Sequence, residues 1–251
     1  MYKNKDKDEN MLRLNNESTL VRFFGMRACG FTLAEVLITL GVIGIVAAMT
    51  LPSLIKKQEK LILVNKLKKT YTVLNQQFMR AQLDNGDYDT WAKGENIVVE
   101  TYFNTYFKPY FNNATICKNA KACGYKTDFP WKTINGSQFG WMIKSSSTRV
   151  SFMLNDGTFI FLPRNTTDSQ DQPVYVNYMF VDINGFKNPN VVGHDVFIFQ
   201  LVDKKGLIPY CSDKSENYIN ARCTKNSSGN VNCCTAKIIS DGWEIKDDYP
   251  W

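Results

Sequence analysis

One carboxylate, Glu35, stands in an otherwise uncharged run of 25 residues, Phe31 to Ile55. A run of that length crosses the hydrocarbon core of a bilayer as a helix. A charge inside it is costly unless it meets a partner, so Glu35 is expected to have one. A second group of chemistry-bearing side chains lies in Val181-Asp182-Ile183-Asn184-Gly185, continuing through Pro189-Asn190 to Gly193-His194-Asp195. The oxygens of Asp182, Asn184 and Asp195, with loop carbonyls, suit a hard cation such as calcium, which takes six to eight oxygen ligands. The spacing is not that of an EF-hand. The plainer expectation, and the favoured one, is a turn-rich connection whose Asp and Asn side chains bond their own backbone.

The cysteines form a third group. After Cys29 the chain carries Cys117, Cys123, Cys211, Cys223, Cys233 and Cys234. An even set reads as a disulfide framework, for which six cysteines allow 15 pairings. Cys117 and Cys123 close a small loop, and the adjacent Cys233 and Cys234 are poorly placed to bond each other. They are expected to reach Cys211 and Cys223, in an order left open. With no CxxC and His194 as the single histidine, a zinc site is disfavoured. That lone imidazole lacks a nucleophile signature, and no phosphate-cradling glycine loop is present, so the chain is read as not an enzyme.

These residues need elements to position them. Beyond Pro52 the helix is expected to continue, because Val64, Leu67, Tyr71, Leu74, Phe78 and Ala81 recur at alternating spacings of three and four, which marks one helix face. A helix from Phe31 to about Leu83 would be on the order of 80 Å long at 1.5 Å per residue. Asp84-Asn85-Gly86-Asp87 ends it. An aromatic-rich stretch follows, with a short helix expected near 96–111. From 148 onward the period changes to two: Val150, Phe152 and Leu154 alternate, Asn155-Asp156-Gly157 turns, and strands are expected at Phe159–Phe161, Tyr175–Asp182 and Val196–Val202. The expected class is α+β, an antiparallel sheet of three or four strands packed on a long N-terminal helix and stapled by disulfides.

The string Gly30-Phe31-Thr32-Leu33-Ala34-Glu35 resembles the cleavage and methylation site of type IV prepilins and of the pseudopilins of type II secretion. That resemblance implies a peptidase cut after Gly30, N-methylation of Phe31, and a glutamate five positions in, with Pro52 where many family members carry proline. Glycine suits a site where backbone must approach a catalytic group closely. The new ammonium on Phe31 would pair with Glu35 of a neighbouring subunit and set the stagger of a filament. The segment from Asp182 to Asp195 is similar to a DxNGxxxPNxxGxD loop of pseudopilin-like proteins, some of whose relatives bind calcium. The implied organisation is a cytoplasmic leader at 1–30, removed with Cys29, then a transmembrane segment at 31–55. An amphipathic continuation at 56–83 and an extracytoplasmic pilin-like domain at 84–251 follow. The implied partners are other pilin or pseudopilin subunits, prepilin peptidase, an inner-membrane assembly platform and secretin, and the membrane itself.

Charge bears on partners and on orientation. The formal net charge is +6, without an arginine-rich stripe, which is too weak to indicate specific nucleic-acid binding. The leader lacks the apolar core that a secretory signal carries before its cleavage site, so the apolar run stays with the processed chain. Within 20 residues before the run lie Arg13, Arg22 and Arg27, whereas within 20 after it lie Lys56, Lys57, Lys60, Lys66, Lys68 and Lys69. The positive-inside tendency alone would therefore put the C-terminal domain in the cytoplasm. The resemblance and the disulfide set point to an inner-membrane, single-pass protein with its C-terminal domain in the periplasm or on a filament. A membrane-anchored extracytoplasmic domain that binds a ligand or calcium without polymerising is the alternative.

Overall fold

The computed structural model describes residues 30–93, 97–111, 114–164, 176–229 and 231–251. The expected leader, with Cys29, lies outside the described residues except for Gly30, as does Tyr175 at the start of one expected strand. The chain divides into two compact units, residues 1–50 and 51–251. One helix, α1, runs Leu33–Asn85 with Pro52 inside it, two residues past the expected end.

In the first unit α1 carries apolar side chains on every side, with Glu35, Thr39 and Thr50 as its polar exceptions. Phe31 is 86% exposed, and Leu37, Ile38, Val42, Ile43 and Val46 are exposed as well. By length and composition this helix is long and apolar enough to cross a membrane. Its hydroxyls are turned back on the helix: Thr39 Oγ1 donates to the Val36 carbonyl and Thr50 Oγ1 to that of Val46, each at 2.9 Å. That habit suits a surface with no water to satisfy side-chain donors.

In the second unit α1 becomes one-sided. Val64, Leu67, Thr70, Leu74, Phe78 and Ala81 are its buried residues. Tyr71, the remaining member of the expected stripe, is half-buried and stacks on Phe199 with ring centroids 5.5 Å apart. The stripe packs on a six-stranded antiparallel sheet in simple sequential order. Its strands are β1 (Thr115–Cys117), β2 (Arg149–Met153), β3 (Phe159–Pro163), β4 (Tyr178–Asp182), β5 (Val196–Val202) and β6 (Gly206–Pro209). The expected short helix is α2, Val99–Tyr106, and two more follow the sheet, α3 (Glu216–Arg222) and α4 (Cys234–Ser240).

Both faces of the sheet are covered. Val150, Phe152, Ile160, Leu162, Val181, Phe197 and Phe199 belong to the core shared with α1 and α2. Phe159, Phe161, Phe180 and Ile198 pack into a second core with Trp131, Phe139, Ile143 and the Cys117–Cys123 loop. Hence β3 and β5 are apolar on successive residues rather than on alternate ones, as strands buried on two faces must be. At the β5–β6 turn the backbone comes against α1: Leu207 N–H donates to Asn75 Oδ1 at 2.9 Å. Gly206 there has φ +81°, and a Cβ would stand 2.6 Å from that oxygen.

The stripe is thus the joint between helix and sheet. Replacing Phe78, which is 1% exposed, with alanine is expected to cost about 3–5 kcal/mol of unfolding free energy, measured by denaturant titration. Leu83→Ala, at an 83% exposed position of the same helix, should change it by no more than about 0.5 kcal/mol.

Candidate functional site

At the start of α1, Thr32 is the capping residue and Glu35 lies in the first turn. Glu35 Oε2 accepts from Thr32 N–H and from Thr32 Oγ1–H, both at 2.8 Å, and Thr32 Oγ1 accepts from Glu35 N–H at 3.2 Å. This reciprocal arrangement is a capping box, which satisfies donors that a helix start leaves without intrahelical partners. Thr32 is a site residue absent from the sequence-based expectations, although Thr-x-x-Glu before an apolar run is the signature of this box. Glu35 therefore has a partner within its own chain, using Oε2 alone. Among the described residues no hydrogen bond engages Oε1. Gly30 and Phe31 precede the helix, and Phe31 is exposed.

The second site is the connection between β4 and β5. Asp182 ends β4, Val196 opens β5, and the two are paired in register, so the sheet brings Asp182 and Asp195 to one place at the loop's base. Both are fully buried. Asp182 Oδ2 accepts from Tyr125 O–H at 2.7 Å and Trp131 Nε1–H at 3.0 Å, and Oδ1 from Asn184 N–H at 3.3 Å. Asp195 accepts from Asn190 N–H at 2.8 Å and Val191 N–H at 2.7 Å. Each carboxylate thus bonds loop backbone. Asn184 Nδ2 donates to the Asn188 carbonyl at 3.3 Å, while Asn184 Oδ1 is buried without a hydrogen-bond partner.

Asn190, which the sequence analysis did not single out as a ligand, closes this loop. One end of its side-chain amide lies 3.3 Å from Asp182 Oδ2, 3.1 Å from the Gly185 carbonyl and 3.2 Å from that of Lys187. With nitrogen at that end, the amide donates into the cluster. With oxygen there, four oxygens converge. Gly185 lets the loop lie against the neighbouring turn: at φ +63° a Cβ would stand 2.5 Å from the Gly157 carbonyl. Tyr125 and Trp131 carried no signal, because they reach Asp182 from 57 and 51 residues away.

The chain beyond α4 fastens this loop from outside. Tyr249 O–H donates to the Gly193 carbonyl, His194 Nε2–H donates to the Pro250 carbonyl at 2.8 Å, and the His194 ring stacks on Trp251 at 5.1 Å. Lys237, almost wholly buried, ties the same segment down through Asp248 at 2.7 Å and Asn220 at 3.0 Å. The acidic, aromatic ending is therefore tucked against the loop, and His194 serves as its anchor. The disulfides are Cys117–Cys123, Cys211–Cys233 and Cys223–Cys234, which supplies the order left open for the last four.

Burial, and then the charge of Asp195, holds the Asp182 carboxyl well above the ordinary carboxylate range, and burial also lifts Asp195. A carboxyl whose folded pKa is raised binds its proton more tightly folded than unfolded. Its stabilisation is present below the unfolded value of about 4 and is lost as pH rises through the folded one. The urea midpoint, measured in chelator, is therefore expected to fall as pH rises from about 4 through the neutral range, and Asp182→Asn should flatten that fall.

Comparison with known proteins covers both units. A prokaryotic N-terminal methylation motif matches residues 25–51, which marks a type IV prepilin-like protein. Together with the apolar helix it indicates a membrane-anchored, single-pass chain with a structural role. No curated protein and no solved structure gives a significant match. Residues 53–251 match a family of unknown function, DUF6613, and on that span, most of its length, the chain belongs to this family.

Proposed function

We propose that this chain is a pilin-like subunit of a type II secretion pseudopilus or a type IV pilus, cut after Gly30, N-methylated on Phe31, and polymerised through α1. The observation that carries the reading is the methylation motif lying on a helix whose apolar side chains are exposed all round. Such a surface needs lipid before assembly and neighbouring helices after it. The capping box supports a defined role for Glu35. Its Oε2 holds Thr32, which leaves Oε1 to accept from the Phe31 ammonium of the next subunit, so that one carboxylate orders its own helix and sets the stagger. The work done is mechanical, whether secretion, adhesion, motility or DNA uptake. The partners are other pilin or pseudopilin subunits, prepilin peptidase, an inner-membrane assembly platform and a secretin, with the C-terminal domain in the periplasm or on the filament.

The test is filament incorporation of Glu35→Gln and Glu35→Ala in the producing cell. Both variants should be made and processed, and both should be lost from sheared filaments or from cross-linked oligomers by at least tenfold. Normal incorporation of Glu35→Ala would contradict the assembly role and favour the anchored, non-polymerising domain.

A second reading rests on the converging oxygens. With the Asn190 amide oxygen turned inward, Asp182, Asn190 and the carbonyls of Gly185 and Lys187 form a partial shell of the type a hard cation takes, and Asn184 Oδ1 is a buried oxygen without a hydrogen-bond partner nearby. Calcium in that shell would join Asp182, Asn184 and Asp195 and neutralise the buried pair. Saturating calcium at about 100 times its Kd should then stabilise the chain by about 2.7 kcal/mol in thermal unfolding, and Asn190→Ala should abolish the gain. Equal midpoints in calcium and in chelator would leave the loop closed by the amide nitrogen.

A further inference from the structure

The lysines that follow the apolar run oppose the orientation proposed above, and their surroundings suggest what they do. Within the second unit, the first turns of α1 beyond the run and the segment after α4 enclose an open groove. Its apolar lining includes Leu54, Leu61 and Val64 of α1 with Trp243, Ile245 and Trp251 opposite. Its lining also carries Lys56, Lys57 and Lys60 of α1 and Lys225 from the chain after α3. Among the described residues no ion pair engages these four. The acidic groups at the groove are fewer and partly committed: Asp248 is paired with Lys237, which leaves Glu244 and Asp247. Lys246, also in the lining, is paired with Asp241. The lining is thus net cationic and carries a set of apolar side chains beside the lysines.

We propose that this groove binds an anionic phospholipid, with its phosphate on Lys56, Lys57 and Lys60 and its glycerol and upper acyl carbons against Leu54, Leu61 and Trp243. Two observations select this occupant. The groove begins at Ser53 and Leu54, inside the last turn of the apolar run, so it opens where the helix leaves the hydrocarbon. Its pairing of lysines with apolar side chains in one lining fits an amphiphile, whereas a free phosphate would use only the lysines. Basic side chains beside an anionic leaflet are attracted to it whichever face they occupy. The lysine-rich flank then serves as a headgroup clamp that retains the subunit in the membrane until assembly removes it. This inference rests on the proposed reading that residues 31–55 span the bilayer.

The experiment uses the processed full chain in nanodiscs made from equal amounts of phosphatidylglycerol and phosphatidylcholine, with retained lipid counted by native mass spectrometry. The chain is expected to retain phosphatidylglycerol over phosphatidylcholine by about tenfold. The Lys56→Gln/Lys57→Gln/Lys60→Gln variant should bring that ratio near one with an unchanged circular dichroism spectrum. The charge-matched Lys118→Gln/Lys126→Gln/Lys144→Gln variant should keep it. Equal retention by the wild-type chain, an unaltered ratio in the first variant, displacement of the lipid by excess inorganic phosphate, or a groove filled by a second copy in place of lipid would each overturn the proposal. Carbonate extraction separates the two failures. A chain stripped from membranes loses the spanning reading and this inference with it, whereas a chain that resists extraction without lipid preference loses this inference alone.

Discussion

The structure depends on a change of solvent along one helix. Over Leu33–Val46 the side chains of α1, Glu35 and Thr39 apart, are apolar or absent and are turned to the outside, an arrangement that is stable only in hydrocarbon or against like helices. From Val64 to Ala81 a single stripe is buried and the rest is wet. Both regimes belong to the helix Leu33–Asn85, with Pro52 inside it. Capping matters for the same reason. At the lipid end, where water cannot satisfy the first N–H groups, Thr32 and Glu35 satisfy one another's.

The domain built on that stripe is held by features of two kinds. One is area: a sheet covered on both faces, by α1 and α2 on one side and by the loop around Trp131 and Phe139 on the other. The other is a buried polar knot at the base of the β4–β5 connection, where Asp182 gathers Tyr125, Trp131 and Asn184 while Asp195 gathers the backbone at 190 and 191. A buried carboxylate is tolerated only when its lone pairs are filled, and here the donors come from three separate stretches of chain. The knot therefore couples the second layer, the sheet and the loop. The segment after α4 adds itself to that loop through Tyr249, His194 and Trp251.

Periodicity made the main architecture legible. Five of the six expected stripe positions on α1 are buried and Tyr71 half so, because helix spacing and sheet packing demand the same residues. Strands β2 to β5 fall where alternation and the Asn155-Asp156-Gly157 turn point. Strands β1 and β6 were missed because three and four residues are too few to display a period. β1 is stapled through Cys117, and β6 is positioned by Asn75 of α1. The site divides in the same way. Glu35, Asp182, Asn184 and Asp195 stand out as chemistry against local sequence. Tyr125 and Trp131 do not, since an aromatic residue that will donate to a carboxylate more than 50 residues away looks like any other core aromatic. Thr32 and Asn190 lie inside the same two motifs, but an uncharged side chain there does not mark itself as the partner of a carboxylate.

The central claim is that α1 begins, in the working protein, at a cut made beside its capping box. Mass spectrometry of the N-terminus of the membrane-extracted chain tests it most directly. The account predicts a chain beginning at N-methylated Phe31, without the leader. A chain that keeps Met1 in a cell that processes its other prepilins would contradict it.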